Sequence, residues 1–478
     1  MNKRLQNNKY ILLLLLTFFM GKGTVWADDS DPISFADSNV KALCVANWDD
    51  NNDGELSYFE AACVTDLESV FKNNTVIQSF DELQYFVNLT TIGEQAFYGC
   101  VALSQITIPE PVTSIGNQSF WNCPALQTVH FNAINCTSMQ SSYDYGTYSV
   151  FSSNTSGADP ALSRVYIGNS VIRIPDYAFK GCGSILQNLT IPSSVTEIGQ
   201  YAFYGCGGLM RLRIQGNLQT IGQYAFYGCS AFNNGLSLPN SVITIGEYAF
   251  CYCSSLESLT LGSGVTSIGV GAFYNCCSNY IGDLVIPSSV TSIGYDAFYG
   301  WNGLSSVHYT GSLGQWLGIT FGNECANPLY YGHNLYINDN LVTALSFPND
   351  LTAIPRNVFC GCTSLSGELV IPDAVTLIGG GAFNGCSGFT GELVIPDAVT
   401  SIGDGAFNGC SGFTGELVIP DAVTYIGQYA FYGCSGLASL TIGTDVNSIG
   451  EYAFWGCPNL ATLNFNATEC VEMRTIIY

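Results

Sequence analysis

"LIGGGAFNGCSGFTGELVIPDAVT" occupies residues 377–400, and "SIGDGAFNGCSGFTGELVIPDAVT" follows at once over 401–424. The two segments agree at 22 of 24 positions. A period this short marks a chain built by stacking one small unit on the next. Read outward, the unit is V-T-x-I-G-x-x-A-F-Y-G-C-x-x-L-x-x-L-x-I-P. Its isoleucine recurs at Ile92, Ile115, Ile174, Ile198, Ile221, Ile245, Ile268, Ile293, Ile354, Ile378, Ile402, Ile426 and Ile449. The steps are 23 to 25 residues, apart from two of 59 and 61. The L-x-x-L-x-I-P segment alternates apolar and polar residues, as a short half-buried strand does, and proline ends it because it has no N–H for the next coil. I-G-x-x-A-F is expected to turn the chain, its glycine permitting the tight backbone. The phenylalanine (Phe97, Phe120, Phe179, Phe203 and onward) should fill the coil interior.

The TSIG-x-x-AF-x-GC blocks, such as 291–300 and 400–410, and the LVIP strands resemble the BspA-like branch of bacterial leucine-rich repeats. The resemblance covers roughly residues 86–465. It implies a repeat solenoid: a curved leucine-rich-repeat array of 23–25-residue coils with short parallel strands. It further implies an exported, often surface-displayed protein of the kind implicated in adhesion to host proteins or other cells.

Composition narrows the partners. The 478 residues carry 13 Lys plus Arg against 37 Asp plus Glu, a formal net charge of -24. Such a chain repels nucleic acid and anionic lipid. Lys3, Arg4 and Lys9 precede the apolar run "YILLLLLTFFM" (10–20), and "VWA" (25–27) offers a cleavage site after Ala27. Residues 1–27 therefore read as a signal peptide, too short in its apolar run to span a bilayer comfortably. The mature protein is expected to be secreted or held at the cell surface or in the periplasm of a bacterium, with no membrane insertion after cleavage. We divide it into a helical N-terminal cap (28–80) and the solenoid (81–478), with insertions near 132–163 and 310–342.

Both insertions are rich in Tyr, Ser, Asn and Gly. They suit an adaptable contact surface or degenerate coils covering the core, and the second reading weighs more. At the C-terminus "TLNFNATECVEM" (462–473) parallels "TVHFNAINCTSM" (128–139) and then stops. No polar capping repeat closes the array there, which reads as truncation relative to a longer relative.

Twenty cysteines in an exported chain suggest disulfides, yet twelve share one repeat slot: Cys100, Cys123, Cys182, Cys206, Cys229, Cys253, Cys276, Cys362, Cys386, Cys410, Cys434 and Cys457. Stacked equivalents would have parallel Cβ vectors, whereas a disulfide needs convergent ones. A column of buried thiols is expected, with Trp301 in the thirteenth slot. Off-column cysteines, such as Cys44 with Cys63, are the better candidates for a bridge. No zinc spacing, phosphate loop or nucleophile elbow occurs. His130 and His308 are expected as exposed strand residues. Glu368, Glu392 and Glu416 recur every 24 residues, as do Asp373, Asp397 and Asp421. They read as a solvated face or, alternatively, as an acidic strip for a basic ligand or Ca²⁺. Arg211 and Arg213 form a cationic spot on one strand face.

One motif stands outside the repeat. "DDNNDGELSYFE" (49–60) has the order of an EF-hand loop. Asp49, Asn51 and Asp53 fall at positions 1, 3 and 5, and Gly54 falls at the sharp turn. Glu55 would offer its carbonyl, Ser57 a water-mediated contact, and Glu60 a bidentate carboxylate. The metal expected is calcium in a structural role. EF-hands usually pair, and no second loop is present, so the helix-loop-helix is expected to cover the open end of the first coil. Taken together, the sequence reads as a binding or adhesion protein without enzymatic activity, recognising an extracellular protein or glycan. A surface-layer or matrix component is the alternative, and an accessory hydrolase a remote one.

Overall fold

A computed structural model describes residues 30–143, 146–151, 162–182, 187–276 and 280–473; the expected signal peptide lies outside them. The chain winds as a parallel β solenoid with two rows of strands, each interrupted in places. In the short ladder each anchor isoleucine pairs with its counterpart one coil on, as Ile198 does with Ile174 and Ile221. One ladder of seven strands ends at Thr320–Phe321, and one of six runs from Ala353–Ile354 to Glu472–Met473. The longer strands pair in the same sense, for example Gln105–Ile108 with Thr128–Phe131 and then Arg164–Ile167. All thirteen anchor isoleucines are buried.

Stacking of identical units puts like on like. Phenylalanine rings form a column from Phe71 to Phe298 with centroids 5.0–5.8 Å apart. The column resumes from Phe359 to Phe454. No single coil could bury such a ring; each is covered by the coils on either side.

The glycine of I-G-x-x-A-F does a different job from the one its sequence suggests. A Cβ on Gly116 would lie 2.5 Å from the Glu94 backbone nitrogen, and one on Gly222 would lie 2.7 Å from that of Gln200. Close approach of successive coils therefore leaves no room for a side chain at these glycines; Pro175 and Pro355 take the slot where Ile174 and Ile354 open their ladders. The left-handed turn falls two residues later, at Gln118 (φ 56°) and Tyr224 (φ 55°).

The cysteine column forms as expected and has a hydrogen-bonding reason. Most of these thiols donate to the carbonyl of the phenylalanine in the preceding coil: Cys123 to Phe97 (3.1 Å), Cys410 to Phe383 (3.2 Å), Cys434 to Phe407 (3.2 Å); Cys182 and Cys362 face Ser149 and Ser364 hydroxyls instead. A small, nearly apolar residue with one weak donor fits a buried slot facing a carbonyl with a spare lone pair. Trp301, in the same slot, meets the same demand with its indole Nε1–H, 2.8 Å from the Phe273 carbonyl. Cys44, expected to bridge with Cys63, stands instead as a buried thiol.

Both insertions are coils of the array with irregular outlines. Phe151 takes its place between Phe120 and Phe179 in the ring column. In the second insertion Phe321 pairs with Ile293 in the short ladder, and Asn334–Ile337 continues the longer one from Leu304–Tyr309. Helix α3 (Leu313–Leu317) starts on a Ser312/Gln315 capping box and buries Trp316, whose Nε1–H donates to the Val358 carbonyl at 2.9 Å.

The parallel pairing reaches back into the segment before residue 81. Asp66 bridges Thr91, and Phe71 stacks on Phe97. On this coil sit helices α1 (Ser38–Trp48) and α2 (Tyr58–Cys63). Trp48 packs on Phe71 and Phe86 at 6.1 and 5.6 Å, and Tyr58 packs on Tyr85 at 5.0 Å.

Because the column is held as thiols, the urea midpoint of the protein is expected to be the same with and without a reducing agent. A fall on reduction would show that disulfides carry part of the stability.

Candidate calcium loop and binding faces

The loop 49–60 joins α1 to α2. Its side chains are fixed by its own backbone. Asp49 accepts from the N–H groups of Asn52 (2.6 Å) and Gly54 (2.9 Å). Asn51 accepts from Asp53 N–H at 2.8 Å, and Asp53 accepts from Glu55 N–H at 2.8 Å. Gly54 has φ +87°, the left-handed turn that position 6 requires.

Glu60 is 4 % exposed. Its Oε1 accepts from Asp50 and Asn51 N–H, and its Oε2 accepts from Ser57 N–H and Oγ–H. Ser57 in turn caps α2, which completes the expected capping box. The structure thus draws Asp49, Asn51, Asp53, Ser57 and Glu60 into one turn. The Glu55 side chain points elsewhere and pairs with Lys41 at 2.6 Å. That leaves its carbonyl as the only donor it could lend a metal. The donor set is entirely oxygen, as a hard divalent cation demands. Among the described residues, however, no three His, Cys, Asp or Glu side chains converge as a metal cluster; backbone N–H groups satisfy the carboxylates.

A contact that sequence reading missed explains how a lone loop is held. Ile33 N–H donates to the Leu56 carbonyl (2.8 Å), and Tyr58 N–H donates to the Asp31 carbonyl (3.1 Å). The segment before α1 supplies the backbone partner that a second loop would otherwise give. Leu56 and Ile33 are both buried.

The histidines are less exposed than expected. His130 stacks on Tyr166 at 4.8 Å, and His308 stacks on Tyr336 at 4.5 Å. Both tyrosines stand one coil on from their histidine. His308 Nε2 lies 2.9 Å from Ser306 Oγ, and its Nδ1 lies 3.4 Å from Asp339. The group resembles a hydrolytic triad in outline only. Ser306 is buried, and its hydroxyl donates to Asp283, so His308 faces an oxygen whose proton is already committed. The cysteines are no better placed as nucleophiles. Burial pushes the Cys251 thiol up to about 12 and those of Cys136 and Cys325 to about 11. Burial also holds His333 below the usual imidazole range.

The strand face carries charge of opposite sign in its two halves. Glu368, Glu392 and Glu416 are exposed, as are Asp373, Asp397 and Asp421, so these rows meet water as a solvated face does. Arg211 and Arg213 are exposed on the strand Arg211–Ile214. Arg164, which sequence reading left out, holds the same outward slot as Arg211 two coils earlier. A groove of about 750 Å³ opens beside Arg164 and Tyr166. A separate edge carries stacked tyrosines, Tyr177, Tyr201, Tyr224 and Tyr248, at 4.9–5.0 Å. Lys180 lies 5.4–5.5 Å from the rings of Tyr177, Tyr201 and Tyr204.

If the N-terminal segment is what orders the loop, Ile33→Pro, which removes the N–H bonded to Leu56, should speed amide hydrogen exchange across 49–63 and leave the distant coils unchanged. Unaltered protection in 49–63 would show that the loop stands without that pairing.

No curated protein matches the chain. Among solved structures, a leucine-rich repeat protein from Bacteroides ovatus is 26% identical, with 74% of this chain and 82% of that one covered and a TM-score of 0.49. A leucine rich cell surface protein from Faecalibacterium prausnitzii is 22% identical over 80% of this chain and 84% of that one, with a TM-score of 0.40. The pneumococcal vaccine antigen PcpA is 20% identical over 72% and 78%, with a TM-score of 0.43. The BspA type leucine rich repeat region matches residues 68–157, 158–278, 233–327, 330–461 and 412–474. With its repeat matched over most of its length and its coils stacked in parallel register, the chain belongs to the BspA-type leucine-rich repeat family.

Proposed function

We propose that this protein is an exported binding protein that presents its solenoid surface to an extracellular protein or glycan, and that it catalyses no reaction. The observation that carries the reading is the exposed strand face, repeated coil after coil with changing side chains on an unchanging backbone. Such a face offers a wide contact area at no cost to the core. The thiols of the repeat column are sealed in the interior, and the Ser306 hydroxyl is committed to Asp283 instead of to His308. No helix among the described residues is long and apolar enough to cross a membrane; export rests on the sequence of residues 1–27. A pull-down from host extracellular matrix and from co-resident microbes tests the reading. A monomer that retains a soluble partner is expected. A protein that self-associates and retains none would instead be a structural matrix component.

Calcium enters this proposal as a structural ion held by Asp49, Asn51, Asp53, the Glu55 carbonyl, Ser57 and Glu60. The order of oxygen donors, the left-handed Gly54 and the buried Glu60 support it. The ion would replace backbone N–H groups as the partner of Glu60 and stiffen the junction between α1 and α2. Extracellular calcium is abundant, so a weak site suffices. Calcium should raise the melting temperature, a chelator should reverse the gain, and Glu60→Gln should abolish it. Identical melting under all three conditions, with no calcium in the purified protein by mass spectrometry, would remove the ion from the account.

A further inference from the structure

The cations of this acidic chain are unevenly placed. Between residues 160 and 246 the sequence has Arg164, Arg173, Lys180, Arg211 and Arg213 against only Asp176 and Glu197. Arg173 is engaged with both of those acids, at 2.7 and 3.2 Å. Arg164, Arg211 and Arg213 have no acidic partner among the described residues, and all three are exposed on the longer strands. Pairing places Asn188 beside Arg211 and Thr190 beside Arg213. By repeat position Arg164 precedes Asn188, so Arg164 and Arg211 stand two coils apart. Tyr166, 52% exposed, lies beside Thr190 in the second outward row, backed by His130.

The strands Arg164–Ile167 and Asn188–Ile191 belong to different sheets and are not hydrogen-bonded to one another. The groove of about 750 Å³ opens at this break, lined by Arg164, Tyr166, Gln187, Asn188, Thr190 and Gln215. Its polar wall is amide, hydroxyl, guanidinium and phenol, and Val165, Ile167 and Pro192 supply the apolar part of the lining. The polar groups offer paired donors and acceptors for hydroxyl groups, one aromatic ring, and forked donors for carboxylates. The groove lacks the enclosed apolar pockets in which peptide anchors are buried.

We infer that this groove and the arginines beside it bind a carboxylated glycan chain laid along the solenoid axis. The inference rests on the binding reading above and gives it a site and a ligand class. A pyranose unit is about as long as one coil is thick. Successive sugars would therefore meet successive strands, with carboxylates at Arg164 and Arg211 and hydroxyls at the amides between them. The acidic half of the face, with Glu368, Glu392 and Glu416 in the equivalent slot, would repel the same ligand and confine it to the cationic coils.

Titration calorimetry of the mature chain with hexameric oligogalacturonate tests this, with a neutral maltohexaose and a hexaglutamate peptide beside it. Binding of the uronate alone is expected, weakening as salt rises. Arg164→Gln and Arg211→Gln should each weaken it about tenfold, whereas Glu392→Gln should leave it unchanged. Because the arginines are exposed and have no acidic partner among the described residues, these variants should keep the parent's melting temperature. No uronate binding, equal binding of hexaglutamate, or indifference to both arginine variants would each overturn the inference. If the protein then still retains a soluble partner in the pull-down, the general binding reading stands without this site; if it retains none, both fall.

Discussion

Neighbouring coils are held about 4.8 Å apart by parallel backbone hydrogen bonds, and that spacing governs nearly every choice of residue in the array. It is the thickness of an aromatic ring with little to spare, so a phenylalanine in one coil is best covered by a phenylalanine in the next. It leaves no room for a Cβ where the backbone after the anchor isoleucine crosses the coil below, so glycine recurs there. It sets a carbonyl of one coil facing the interior slot of the following one, so a thiol or an indole N–H is found in that slot. Outside, the same spacing would crowd equal charges. The glutamate row is therefore exposed to water, and Arg164 and Arg211 are interleaved with Asn188.

Much of this is legible in the sequence. The anchor isoleucines, the Phe column and the thiol column follow from period and polarity alone, because a repeated slot has a repeated environment. What escaped was whatever depends on geometry between coils. The glycine of I-G was assigned to a turn because sequence shows its neighbours along the chain and not the backbone stacked against it; the left-handed residue is two places further on. Phe151 and Phe321 were hidden inside the insertions, since an irregular coil keeps its interior ring while losing its spacing. Arg164 was passed over because its strand, RVYI, lacks the leucine that identifies its neighbours.

The candidate calcium loop was legible as a list of donors, and those donors do lie in one turn. Its support was not legible. The pairing of Ile33 with Leu56 joins residues on either side of a helix, and a main-chain contact of that kind leaves no mark in side-chain pattern. The consequence is that cap and array form a continuous structure. The N-terminal strand segment holds the loop, the loop joins two helices, and the helices seal the rings of Phe71 and Phe86.

The near-identity of residues 377–400 and 401–424 has a meaning for heredity as well as for folding. Where each layer docks on the next through the same contacts, a duplication or loss of one unit during replication creates no new interface and breaks none. The molecule grows or shrinks by about 4.8 Å at a time. Its length is then the easiest property for mutation to change, and variants of different reach can arise within a lineage while the coils at either end stay as they were.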